Sequence, residues 1–278
     1  MLTETSSLVL DARARHGGVA AFNAITLEHA EAIVEGAERS QRPVILAVSH
    51  NAVRYHGALE PLAASCLALA RAADVPVGLH LDHVEDLELV EAAPDLGFGS
   101  VMFDASTLPY ADNVEMTRRA AAVLHARGRW LESELGEIGG KDGAHAPHVR
   151  TDPGEAASFV DDTRVDALAV AVGSSHAMTS ATAELDLDLV RQLRDAVPVP
   201  LVLHGSSGVS DSGLSAAVRA GLVKINVGTQ LNIAFTDAVR AGLAESSAPD
   251  PRPYLRSARD AMADVVARLI GVVATTAE

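Results

Sequence analysis

Short apolar runs punctuate the chain, and most are followed by a stretch in which apolar positions recur with helical spacing. Predicted strands cover 19–23, 43–48, 75–83, 100–104, 130–135, 166–172, 200–203 and 223–228. Predicted helices cover about 26–39, 59–73, 84–93, 112–126, 153–162, 188–195, 211–220, 230–244 and 254–270, and residues 2–15 suit a short helix ahead of the first strand. Thr26, with Glu28 in the first turn, is placed to cap the first of the long helices. The strand runs are near-continuously apolar, as in parallel sheets covered on both faces. Eight strand–helix units in 278 residues, with no linker or composition shift among them, predict an α/β chain folded as a single-domain TIM (β/α)8 barrel with an additional C-terminal helix. A doubly wound open sheet is the alternative that the count alone leaves open.

What favours the barrel is where polar residues fall. The run from Val75 breaks into His80, Asp82 and His83; the first two share one face of the strand and His83 lies a step further on, where the loop begins. Asn23, Ser49, Asp104, Glu134, His176, His204 and Asn226 also stand at or just beyond strand C-terminal ends. A closed barrel gathers those ends at one mouth, where barrel enzymes carry their sites.

A lone strand-end histidine is ordinarily a hydrogen-bonded structural residue. Here His83, His176 and His204 end the third, sixth and seventh strands. Three imidazoles point to Zn2+ or a similar divalent ion, with Asp104 and Glu134 as further ligands or as groups that orient the imidazoles. His50, His56, His145 and His148 lack this pattern and read as surface or loop residues. The loops Gly205-Ser-Ser-Gly208 and Asn226-Val-Gly-Thr229 follow the seventh and eighth strands, where barrels bind phosphate through backbone N–H groups. Ser207 and Thr229 add hydroxyl donors.

Composition narrows the partners. The chain is 48% hydrophobic and only 3% aromatic, so its core is aliphatic, and its formal net charge of -15 argues against nucleic acid or an anionic membrane. Cys66 is the single cysteine, which excludes a disulfide framework and a thiolate zinc cluster. No basic leader and no run of membrane-spanning length is visible, so a soluble cytoplasmic protein is expected.

The motifs Leu79-His-Leu-Asp-His83, Gly97-Phe-Gly-Ser-Val-Met-Phe-Asp104, Glu132-Ser-Glu-Leu-Gly-Glu-Ile-Gly-Gly140, Thr151-Asp-Pro, Leu203-His-Gly-x-Ser-Gly208 and Lys224-Ile-Asn226 occur in this order. In them the chain resembles the class II, zinc-dependent ketose-bisphosphate aldolases of the fructose- and tagatose-1,6-bisphosphate type. The resemblance runs from Ala21 to Arg252 and beyond. It implies that His83, His176 and His204 bind zinc, and that Glu134 and Asp104 line an alternative metal position. It assigns Asp82 to acid/base work at the C4 hydroxyl of a ketose. Gly205, Ser207, Asn226 and Thr229 fall to the C1 phosphate and Arg252 to the far phosphate, often from a neighbouring subunit; Asn23 and Ser49, at the strand ends, are read as further substrate-binding residues. A carboxylate in the loop after Gly140, here Asp142, exchanges the C3 proton. The resemblance further implies a sugar phosphate substrate, a monovalent cation (Na+ or K+) near the phosphate loops, and a homo-oligomer, dimer or tetramer. Lys224, inside the last strand, reads as structural or electrostatic, since this chemistry uses no Schiff base.

Four positions depart from the family pattern: Ala177 and Ser206 replace glycines, Gly228 replaces an aspartate that contacts substrate hydroxyls, and Asp142 replaces a glutamate. A class II homologue acting on a different sugar phosphate or keto donor therefore stands beside the bisphosphate substrates. A non-catalytic metal-binding barrel is the third reading.

Overall fold

The computed structural model describes residues 1–135, 150–174 and 183–274. Eight parallel strands close in chain order: β1 (Val19–Asn23), β2 (Val44–Ser49), β3 (Val77–Val84), β4 (Ser100–Phe103), β5 (Trp130–Leu135), β6 (Ala167–Val170), β7 (Leu201–Leu203) and β8 (Leu222–Val227), with β8 pairing onto β1. Closure turns the strand-end pattern of the sequence into a ring of side chains around one mouth.

Two apolar layers follow from the period-two alternation of the strands. Outward-facing Phe22, Leu46, Leu79, Leu81, Phe103, Leu131, Leu168 and Ile225 pack under the helices as the main core. Inward-facing Ala21, Ile45, Met102, Trp130, Ala169 and Val202 form a second cluster together with Leu8, Val9 and Ala12 of helix Thr5–Ala14. That helix closes the barrel floor, where the Thr5 hydroxyl donates to the Leu79 carbonyl at 3.0 Å. Each fully buried Val, Leu, Ile, Phe or Met side chain in the two layers contributes about 1.5–3 kcal/mol.

The C-terminal helix Arg252–Val273 lies against helices Leu27–Ser40 and Thr229–Glu245. Gly36 permits this contact, because a Cβ there would come within 2.6 Å of the Ala263 carbonyl.

Local detail departs from the sequence expectation at three places. A short helix, His50–His56, follows β2 directly, its first turn capped by the Ser49 hydroxyl, which accepts from the Ala52 N–H. Two turns are too few to show periodicity. Thr26 does not cap with its side chain; its hydroxyl pairs with His29 Nδ1 at 3.1 Å. Lastly, β3 starts at Val77 and runs one residue past His83, to Val84.

Candidate active site

His83 has φ 50°, the left-handed region that a non-glycine residue rarely enters. The β3–β4 register slips between Leu81 and Val84 at the same point. Neighbouring side chains on a regular strand face opposite ways; this irregularity turns consecutive Asp82 and His83 to one cavity. The cavity, about 390 Å³, is lined by Asn23, Ser49, Asp82, His83, His204 and Asn226, with Gly205, Ser206, Ser207, Gly228 and Thr229 on the β7–β8 side.

His83 Nε2 and His204 Nδ1 face each other 3.0 Å apart. The outer nitrogens are bonded to carboxylates: His83 Nδ1 to Asp104 at 2.9 Å and His204 Nε2 to Glu132 at 3.0 Å. Carboxylates accept, so each outer nitrogen carries hydrogen, and in the neutral imidazoles this leaves the inner nitrogens as the lone-pair donors. Two converging lone pairs fit a shared electrophile, a metal ion above all, and the carboxylate–imidazole pairs are the usual support for one. Oxygen and nitrogen donors of Asp82, His83 and His204 cluster closely enough to hold an ion, as do those of His83, Asp104 and Glu134. His83 is common to both sets. Burial, then the adjacent His83, pushes the His204 imidazole down to about 4, against the pull of Glu132.

Asp82 is fully buried. Its Oδ2 accepts from Asn23 Nδ2 and its Oδ1 from Asn226 Nδ2, both at 3.1 Å. Burial alone would raise its pKa; the surrounding His83, His80, His204 and Lys224 outweigh that and hold it well below the usual carboxylate range. The group is therefore an ionised carboxylate with a fixed direction, a proton acceptor beside the paired imidazoles.

On the far wall, Gly205 takes φ 67°, which opens the β7 loop, and helix Thr229–Glu245 starts at the end of β8 with its N-terminus at the cavity. Ser206 is buried and donates its hydroxyl to the Asn226 carbonyl, so it ties the two loops together. At Gly228 an added Cβ would meet Asn23 Nδ2 at 3.8 Å and Asn23 Cβ at 3.9 Å, ordinary contact distances, so the position could carry a side chain.

The structure thus gathers Asn23, Ser49, Asp82, His83, His204, Gly205, Ser207, Asn226 and Thr229 around one cavity, with Asp104 and Glu134 behind His83. Arg252 does not join them within this chain; it is exposed and paired with Asp250 at 2.6 Å. His176, Asp142 and Ala177 lie outside the described residues. His50, expected as a surface or loop residue, is buried, and its Nδ1 accepts from the Glu85 N–H at 3.3 Å. Ile25 and Asn51, just beyond the first and second strands, also line the cavity, as do Glu85 and Asn232, which the sequence did not single out. Glu85 carries no strand-end signal, since it lies past the bulge, and Asn51 sits in the short helix that follows β2. His80 is a satisfied core histidine, its Nδ1 2.7 Å from Ser100 Oγ.

The sequence matches the family described as fructose-bisphosphate aldolase class-II over residues 3–277. Among solved structures, the YdjI aldolase from Escherichia coli K12 is similar at 32% identity and a TM-score of 0.88, covering 99% of this chain and 98% of that one. A fructose-1,6-biphosphate aldolase candidate from Coccidioides immitis is 28% identical, with a TM-score of 0.87 over 97% of this chain and 96% of its own. A fructose-bisphosphate aldolase from Campylobacter jejuni shares the fold at a TM-score of 0.82 and 23% identity, over 98% and 95% of the two chains.

Proposed function

Because the chain belongs to the class II fructose-bisphosphate aldolase family, we propose that it is a zinc-dependent aldolase that cleaves and forms the C3–C4 bond of a ketose phosphate. Cleavage gives dihydroxyacetone phosphate and an aldehyde such as glyceraldehyde 3-phosphate. The observation that carries the reading is the clamped, ionised Asp82 beside the inward-facing His83 and His204 nitrogens, in the cavity that also holds the β7 and β8 loops.

His83 and His204, joined by His176 from outside the described residues, would hold the zinc ion. When bound, it supplies Lewis acidity that polarises the substrate carbonyl and stabilises enediolate charge. Asp82 takes the proton of the C4 hydroxyl as the C3–C4 bond breaks, and the C4 oxygen becomes the aldehyde. Asn23 and Asn226 keep both of its oxygens oriented through this transfer. Gly205, Ser207 and Thr229 bind the C1 phosphate by backbone N–H and hydroxyl groups, which fixes C3 and C4 over Asp82. Asp142 returns a proton to C3. A monovalent cation (Na+ or K+) beside the phosphate loops, a homo-oligomer in which a neighbour's Arg252 meets the far end of the substrate, and a cytoplasmic setting complete the reading.

The absence of a side chain at Gly228 and the wall formed by Ile25, Asn51, Glu85 and Asn232 favour a second reading of the substrate, a different sugar phosphate or keto donor. A coupled assay for dihydroxyacetone phosphate, run on fructose- and tagatose-1,6-bisphosphate with chelator and with zinc restored, tests both. Chelator-sensitive release from either supports the bisphosphate reading. Zinc-loaded protein that releases nothing from both overturns it and moves the search to other ketose phosphates.

A further inference from the structure

Lys224 is fully buried inside the barrel, and the chemistry above leaves it unused. Its Nζ lies 2.7 Å from Glu132 Oε2 and 3.3 Å from His80 Nε2. The other Glu132 oxygen, Oε1, is 3.0 Å from His204 Nε2. His80 in turn meets Ser100 Oγ through Nδ1 at 2.7 Å. A continuous polar chain thus crosses the interior from Ser100 through His80, Lys224 and Glu132 to His204, and each member is buried.

A buried ion pair is weak evidence for stability, since desolvation offsets most of its attraction. This pair has a direction, however. Both Glu132 oxygens are engaged, one by an ammonium and one by the imidazole. The ammonium carries only donors, so it can take no hydrogen from Glu132 and leaves the carboxylate an acceptor on both sides. His204 must then place its hydrogen on Nε2 and its lone pair on Nδ1, toward His83.

We propose that Glu132 and Lys224 form a buried positioning pair that selects the metal-binding tautomer and ring orientation of His204. The proposal rests on the metal reading of the site. It makes Lys224 an electrostatic support for a ligand, two bonds removed from the ion, and gives it no contact with substrate.

The test is zinc affinity, measured by competition with a chelating dye on folded protein, beside steady-state kinetics at saturating zinc. Glu132→Gln keeps size and shape but gives the site one oxygen for two donors. Whichever way its amide turns, either Lys224 or His204 meets an NH2 group. Zinc affinity should fall about 10- to 100-fold, as for other groups that orient metal ligands. KM should stay within about twofold, and kcat should return when zinc saturates.

Glu132→Gln combined with Lys224→Met removes the competing donor, so the amide oxygen is free to face His204. The double variant should bind zinc more tightly than Glu132→Gln alone, a rescue that a merely space-filling role would not produce. Circular dichroism confirms the fold of each, and if the single variant fails to fold, zinc affinity of the double variant relative to wild type decides. A double variant weaker than a folded single variant, or a single variant with wild-type affinity, overturns the proposal. So does a kcat that stays low in zinc-saturated Glu132→Gln, which would place Glu132 in the chemistry. Wild-type protein that binds no zinc would instead overturn the metal reading itself, so the two failures are told apart.

Discussion

Asp82 concentrates the chemistry at the scale of a single residue. Its two amide donors come from β1 and β8, neither of which pairs with β3; barrel closure brings them to the same mouth, where they hold an ionised and fully buried acceptor. Asp82→Ala should keep bound zinc yet lower kcat by on the order of a hundred- to ten-thousandfold, the usual worth of a positioned acid/base group. Metal analysis beside turnover checks this, and substantial residual activity would remove Asp82 from the role. His204→Ala deletes one of the two converging nitrogens and should leave purified protein with little zinc. A zinc content equal to wild type would count against the ligand assignment.

Elements set where those residues can act. Strand β3 delivers two adjacent side chains to one side only because His83 accepts a left-handed backbone at a register slip. The β7 and β8 loops depend on each other through Ser206, whose hydroxyl reaches the Asn226 carbonyl. Ser206→Ala leaves that buried carbonyl without this donor, at about 1–3 kcal/mol, and frees the β7 loop from its neighbour. KM for the phosphorylated substrate should then rise several-fold while zinc affinity stays unchanged. An unaltered KM would show that the two loops hold their positions independently.

Across the whole molecule, the floor and the mouth of the barrel are separable. Val9 sits in the lower cluster, away from the cavity. Val9→Ala should cost roughly 1–3 kcal/mol in unfolding while kcat and KM at 25 °C hold, read by chemical denaturation beside kinetics. Acid acts on the mouth and its buried support. His204, lowered to about 4 in the folded state from an ordinary 6.5, binds its proton more tightly when unfolded. The metal-free protein is therefore most stable above about 6.5 and weakens as pH falls toward 4. Burial opposes the charge of Glu132, but Lys224 and His204 hold it at about 2 against an ordinary 4.5, so it adds a further loss as pH drops below 4.5. Melting temperatures of chelated protein at pH 7, 5.5 and 4.5 should fall in that order; a flat series would sink the assignment.

Much of this was legible in the chain because strand parity and strand ends are local facts. Near-continuous apolar runs returning eight times announced the barrel, and polar residues at their ends announced one mouth: Asn23, Asp82, His204 and Asn226 lie where alternation puts them. What only the tertiary structure decided are relations between residues far apart in sequence. Alternation places Glu132 and Lys224 inside the barrel but cannot say that they meet, because strand stagger and closure set that distance. Nor does any local pattern reveal that His83 abandons the strand geometry of its neighbours, that Ser206 turns to Asn226, or that Asn51 and Glu85 complete the cavity wall. Each depends on a backbone conformation or contact that is favourable only once the barrel has closed around it.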